Sequence, residues 1–455
     1  MEFFNSLFYF IIVLGVLVFI HELGHFLAAR LSGMRAEIFS IGMGKRLFGW
    51  NKITGFTTGN LPKEWDGGDN TDYRLSLLPI GGYVKISGMI DEGMNNDIIE
   101  TEPKSYEFRS KGALKKAFVL SAGVIMNFLL AVGIFSWLTF ANGETNLKTN
   151  QIGNVTKNSL ASEIGLQSGD KVVSINENEV DNWSELIDNL MITDLGKDKK
   201  VTVLRNANKV TLTASNKELL ETLSNKENIG ISPEGNKVVL SEILTLEPAG
   251  EAGLSVGDTL ISAAGENIYS VRQFIDIVKT HENQTFIIDL QRGSDSLSLD
   301  ITPNENGKIG AGLYEISTGE FETNTFGIGE SIVLGFEKTL DYIDLIITSI
   351  SQIFKGNIAF ENAVGGPIMI AKQSAESAER GIDTFLVFMA ALSLSLALLN
   401  ILPIPALDGG HLLIVLIEAI YRKELPIKLK MAIQNIGMLI LLSLMVIVVV
   451  FDVLR

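Results

Sequence analysis

The sequence predicts a polytopic α-helical membrane protein, with four transmembrane helices and two small α/β domains outside the cytoplasm. Three observations carry this reading. Of its 455 residues, 46% are hydrophobic and only 20% charged, and mean hydropathy is +0.28, more apolar than ordinary soluble or disordered chains. The apolar residues are gathered into four long uncharged runs. Between the second and third runs lies a polar, acidic stretch containing an internal repeat.

The runs are Phe3–Ile20, Ala117–Leu138, Thr384–Leu407 and Met431–Phe451, of 18, 22, 24 and 21 residues. A helix needs about 20 apolar residues to cross a bilayer, so each run predicts one span. Helices buried in a soluble core rarely run so far without a charge. The first run follows Met1-Glu2, lacks a basic leader and has no small-residue cleavage site, so it is expected to be a retained helix rather than a signal peptide.

Lys and Arg near the helix ends set the orientation. They gather after the first run (Arg30, Arg35, Lys45, Arg46), before the second (Arg109, Lys111, Lys115, Lys116) and between the third and fourth (Arg422, Lys423, Lys428, Lys430). These places are expected to be cytoplasmic. Both termini and the segment from about 144 to 380 then face outward. Residues 141–325 hold 28 Asp/Glu against 15 Lys/Arg, a balance of −13 out of the chain's −16. Such a surface gives nucleic acid nothing basic to bind. The absence of cysteine excludes disulfide frameworks, iron–sulfur clusters, thiolate zinc sites and cysteine nucleophiles.

The repeat pairs residues 153–214 with 242–302. Gly165-Leu166-Gln167-Ser168-Gly169-Asp170 recurs 88 residues later as Gly253-Leu254-Ser255-Val256-Gly257-Asp258. Ser174 and Ser262 share that offset, as do Leu186 and Phe274. Each copy continues into a short amphipathic helix and alternating strands such as Val201–Leu204 and Phe286–Leu290. Two copies of this length make two domains in tandem rather than a solenoid. Residues 332–354 have helical apolar spacing interrupted by Glu337, Lys338, Asp341 and Asp344. They predict an amphipathic helix, either lying in the interface or packed on the second repeat.

The chemistry falls inside the apolar runs. His21-Glu22-Leu23-Gly24-His25 is an HExxH motif. On a helix, positions i and i+4 share a face, so both imidazoles can meet one zinc ion, with Glu22 beside them to take a proton from water. HExxH alone recurs by chance, but polar and ionisable groups in lipid are costly and usually mark function. A third donor is offered by Asn400-Ile401-Leu402-Pro403-Ile404-Pro405-Ala406-Leu407-Asp408-Gly409-Gly410-His411. Its prolines break the helix and its glycines let the backbone bend. Broken backbone at membrane depth needs a buried or wet cavity. Asp408 is the one carboxylate between Thr384 and Ile417. Two histidines and one acid leave zinc a fourth position for water. By the charge pattern, His21, His25 and Asp408 come to the same leaflet. Asp408 also suits a helix N-cap, and His411 suits a supporting or structural role better than a fourth ligand. His281 reads as a solvated loop residue.

With these motifs in this order, the chain resembles the site-2 protease family of intramembrane zinc metalloproteases, in its bacterial RseP-type form with tandem PDZ domains. The "aGL..GD" repeats resemble circularly permuted PDZ domains, which bind extended peptides by strand addition or here filter substrates by size. The resemblance implies His21, His25 and Asp408 as zinc ligands, Glu22 as catalytic base and Asn400 as a residue that holds unwound substrate. Asn400 otherwise bonds backbone freed by Pro403. Phe39–Gly44 resembles the family's membrane-reentrant hairpin and Gly81–Lys85 a strand following it. Gly42, Met43 and Gly44 are therefore expected at an edge strand that receives the substrate. Gly365-Gly366-Pro367-Ile368 resembles the segment leading to the third helix. The family's Gly-Pro-x-x-Asn reads Gly123-Val124-Ile125-Met126-Asn127 here, so Asn127 is left unassigned.

The expected division is a first transmembrane helix at 1–28, a cytoplasmic and reentrant β region at 29–116, a second helix at 117–140, PDZ-like domains at 144–232 and 233–318, an amphipathic segment at 320–380, a third helix at 383–421 and a fourth at 430–452. The expected function is zinc-dependent endoproteolysis within the inner membrane. Its substrates would be single-span membrane proteins, such as an anti-sigma factor, or remnant signal peptides; beyond these the expected partner is the lipid bilayer, and no nucleic acid. The rival from another class is a non-catalytic membrane scaffold that binds peptides through its PDZ pair. A structural metal site has no use for Glu22, which separates the two. An ion-coupled transporter predicts inverted repeats among the helices, and none is visible.

Overall fold

The computed structural model describes residues 2–62, 65, 67–89, 102–224, 229–358 and 365–454; parts of the 29–116 and 320–380 segments lie outside these. The chain divides into two units. The membrane unit comprises Met1–Asn142, Phe326–Ile346 and Val364–Arg455, and the sheet-rich unit Gly143–Thr325 and Ile347–Ala363.

Seven helices matter here: α1 (Glu2–Leu31), α2 (Ala113–Asn142), α3 (Ile328–Phe354, of which the part up to Ile346 belongs to the membrane unit), α4 (Pro367–Glu379), α5 (Ile382–Ile401), α6 (Asp408–Tyr421) and α7 (Ile427–Leu454). Four contain stretches long and apolar enough to cross a membrane: Phe4–Leu31, Ala113–Asn142, Ile382–Ile401 and Ile427–Leu454. Each overlaps one uncharged run of the sequence. Val13 and Leu17 of α1, Ile134 and Phe135 of α2, and Phe385, Met389 and Leu394 of α5 bury one another in a shared core. Within this unit α3 lies on α2. Tyr342 stacks on Phe135 at 5.0 Å between ring centroids, and Phe336 meets Phe128 edge-on at 5.9 Å. A β carbon on Gly335 would strike Ser136, so the contact is backbone-close.

The third span is broken, as its prolines demand. α5 ends at Ile401, Ala406 takes the left-handed backbone at φ 76°, and α6 begins at Asp408. Gly409 and Gly410 pack so tightly on the Ile401–Pro405 backbone that a side chain on either would collide with it. Gly437 of α7 presses on Pro405 from another side.

Between α1 and α2 the chain forms a bent sheet of β1 (Ala36–Asn51), β2 (Gly55–Thr58) and β3 (Asp72–Ile86), in the order β2-β1-β3. Ile38–Ile41 of β1 pair with Gly82–Lys85 and also with Asp72–Leu75 of β3. Gly42 (φ 82°) and Gly44 (φ 88°) take the left-handed backbone where β1 bends. The bend is locked by a buried ion pair in which Arg46 Nε donates to Asp72 Oδ2 at 3.0 Å.

The sheet-rich unit contains the repeat. In the first copy, Lys171–Ile175, Lys199–Arg205 and Asn208–Ala214 are neighbouring strands of one sheet, and Trp183–Met191 is a helix over it. In the second, Thr259–Ala263, Phe286–Arg292 and Asp295–Ile301 repeat that sheet, with Val271–Thr280 as the helix. Separate apolar cores fill the copies, around Leu186 and Val203 in one and Phe274 and Leu290 in the other. The copies share one internal clamp. Arg205 donates to Asp170 and to the Gly165 carbonyl at 2.7 and 2.8 Å, and Arg292 donates to Asp258 and to Gly253 at the same two distances. His281 lies in the turn after Val271–Thr280, as expected, but is half-buried rather than fully solvated, with Nδ1 2.8 Å from the Ile277 carbonyl.

Candidate metal centre

Continuous helix through α1 puts His21 and His25 one turn apart on one face. Both are buried. Their Nε2 atoms stand 3.2 Å from each other. Asp408, at the first position of α6, brings Oδ2 to 3.1 Å from His21 Nε2 and 3.3 Å from His25 Nε2. Among the described residues this is the one group of three or more His, Cys, Asp or Glu whose donor atoms converge so closely. The histidines and Asp408 are separated by nearly the whole chain, and what joins them is the break after α5. Asp408 does not act as the N-cap: that place belongs to Leu407, and no side chain caps α6.

The donor set fits zinc. Ligand atoms about 2.0–2.2 Å from a tetrahedral zinc stand about 3.3–3.6 Å from one another. The observed triangle, with edges of 3.1, 3.2 and 3.3 Å, is close to that size. Asp408 Oδ2 is buried without a hydrogen-bond partner among the described residues, as expected of an atom meant for a metal rather than for a proton.

Helix α2 completes the surroundings. His25 Nδ1 lies 2.8 Å from the Val119 carbonyl, which accepts its proton and leaves Nε2 free to face the cluster. The Asn127 amide lies 3.3 Å from His21 Nδ1. Between them Gly123 meets both rings: a β carbon there would come within 2.5 Å of each. Gly24, between the two histidines, packs against the Ala122 carbonyl with no room for a side chain. The sequence marks Gly123 only through its resemblance to the family's Gly-Pro-x-x-Asn and gives no sign of its contact with both rings or of the Val119 carbonyl. Beyond that resemblance, the signal was the fourfold spacing of Val119, Gly123 and Asn127 on α2.

Glu22 is half-buried beside β3; a β carbon on Gly82 would lie 3.3 Å from its Cγ. In the recorded pairing Gly82–Ile86 has β1 on one side. Among the described residues this stretch therefore forms a sheet margin beside Glu22. Gly42, Met43 and Gly44 occupy the bend of β1 itself, with Met43 opposite Leu78. Asn400 sits half-buried on the last turn of α5, eight residues before Asp408. His411 is turned to α7, where its Nε2 lies 3.1 Å from Gln434 Nε2, and it stands outside the convergent donor set.

A helical membrane unit with a three-donor centre at a broken span is the framework of an intramembrane metalloprotease, and comparison with known proteins agrees. The sequence model of Peptidase family M50 matches residues 9–444. The "Regulator of sigma E protease" of Haemophilus influenzae is 33% identical over 469 residues, covering 100% of both chains. A Vibrio cholerae protein, named as a candidate zinc metalloprotease, is 32% identical over 463 residues and 97% of both chains. The "Regulator of sigma-E protease RseP" of Escherichia coli is 28% identical over 455 residues, covering 96% of this chain and 95% of its own. The chain belongs to peptidase family M50, the site-2 protease family. It is an intramembrane metalloprotease whose cofactor is zinc.

Proposed function

We propose that His21, His25 and Asp408 hold the zinc ion and that Glu22 is the catalytic base of amide hydrolysis inside the membrane. The observation that carries this is the triangle of Nε2, Nε2 and Oδ2, with an Asp408 oxygen that finds no other partner among the described residues. Bound there, zinc supplies Lewis acidity that makes a water nucleophilic near neutral pH. The Glu22 carboxylate takes the proton of that water as it attacks the scissile carbonyl. The same carboxyl then returns the proton to the leaving amine, restoring itself for the next turnover. His21 and His25 stay neutral throughout, with Nε2 committed to the metal.

A transmembrane helix hides its carbonyls in hydrogen bonds, so substrate must be drawn out before it is cut. The margin of β3 at Gly82–Ile86 suits pairing with such an extended segment; Gly42–Gly44 shape the bend beside it, and the Asn400 amide bonds the exposed substrate backbone. The substrates are single-span membrane proteins, such as an anti-sigma factor in line with the names of the relatives, or remnant signal peptides. The basic loops face the cytoplasm, the protein lies in the inner membrane, and the two repeats are extracytoplasmic PDZ-like domains that admit shortened substrates and exclude bulky ones.

The test is Glu22→Gln in the full chain with a model single-span substrate. Cleavage is expected to stop, with one zinc per chain retained. Undiminished cleavage would remove Glu22 from the mechanism and return the scaffold reading.

A further inference from the structure

We infer that Asn127 is a positioning residue for the metal centre: its side-chain amide accepts the Nδ1 proton of His21, as the Val119 carbonyl accepts that of His25. This rests on the proposed ligand set and adds a supporting element to it. An imidazole that gives Nε2 to a metal carries its proton on Nδ1, and that proton needs an acceptor. His25 has one, 2.8 Å away. For His21, the group the structure records at Nδ1 is the Asn127 amide, at 3.3 Å. Asn127 is fully buried, and its Oδ1 has no partner among the described residues. Half a turn of the amide exchanges Oδ1 and Nδ2 without changing its shape. That turn gives the orphaned oxygen a donor and the His21 proton an acceptor.

The helix explains the arrangement. Val119, Gly123 and Asn127 follow one another at fourfold spacing, so they share one face of α2. The outer two supply acceptors, and the middle one has no side chain where both rings pass. Ser393 of α5 donates to the Asn127 backbone carbonyl at 2.9 Å, which pins this turn.

The experiment measures zinc affinity of the purified full-length protein by chelator competition, together with KM and kcat on a single-span substrate. Asn127→Leu keeps the volume and removes the acceptor; Asn127→Asp keeps an acceptor. Asn127→Leu is expected to bind zinc about 10- to 100-fold more weakly, with kcat reduced at limiting zinc and KM unchanged. Asn127→Asp is expected to stay within about threefold of the unsubstituted chain, well inside that loss. Wild-type zinc affinity in Asn127→Leu with a raised KM would overturn the inference and give the amide to the substrate. Equal losses in both variants would overturn it in favour of simple packing. An unsubstituted chain that binds no zinc would instead defeat the ligand set itself.

Discussion

Asp258 in the sheet-rich unit and Asp408 in the membrane unit are both carboxylates removed from water, and they are treated in opposite ways. Asp258 is fully buried and answered at once: Arg292 binds it through two nitrogens at 2.7 Å, and the Ser255 amide donates to it at 2.9 Å. Asp170 has the same partners in the first repeat, Arg205 and the Gln167 amide. Asp408 faces two imidazole nitrogens and has an oxygen without a hydrogen bond. A buried acid whose bonds are all made is architecture. One left short in lipid, where every unmade bond costs more, is held for something that arrives.

Exchanging the two acids sharpens that contrast most. Asp408→Asn should lose bound zinc and cleavage together, read by metal analysis and a substrate assay. Asp258→Asn should keep both and lose about 1–3 kcal/mol of stability in the second repeat, because Arg292 remains partly solvated once its partner is gone. Glu22→Gln should lower the rate by about 10²- to 10⁴-fold at full zinc occupancy, which separates holding the metal from moving the proton. Gly123→Ala should cost about 10²-fold in rate through displaced imidazoles, while leaving the fold of the sheet-rich unit unaltered in hydrogen exchange.

The smallest expected effect is in pH dependence. Although burial acts to raise it, Arg292 and the Ser255 amide hold the Asp258 carboxyl below the ordinary carboxylate range. The Ser262 and Ser298 hydroxyls do the same for Asp289. Folded values below unfolded ones mean stability that is fully present above the unfolded carboxylate range and lost as pH falls through the folded values. Hydrogen exchange over residues 236–317 should therefore accelerate below about pH 4, and Asp289→Asn should flatten that slope. A steeper slope in the variant would contradict the assignment.

The parts legible in the sequence are those that one stretch of chain specifies alone. HExxH is complete within one helical turn, the prolines and glycines around Asp408 announce their own break, and the repeat declares itself by its 88-residue offset. The double lock that Arg makes on Asp170 and Asp258 was not foreseen, although those acids anchored the alignment. Less legible were features made by packing. Gly123 stood out only as part of a family pattern, and its physical reason shows once two imidazoles from α1 lie against it. The strand at Gly81–Lys85 was expected from the resemblance, but its approach to Glu22 at Gly82 shows only in the packing. The spacing of α3 left an interfacial helix and one packed on the second repeat both open, and gave no sign of the ring contacts that Tyr342 and Phe336 make with α2.

The most direct measurement is zinc K-edge X-ray absorption on the purified full-length chain, compared with its Asp408→Asn variant. One zinc per chain is expected, with two imidazole nitrogens and oxygen ligands at about 2.0–2.2 Å, and loss of metal in the variant. A wild-type spectrum without imidazole scattering, or a zinc environment indifferent to removal of the Asp408 charge, would contradict it.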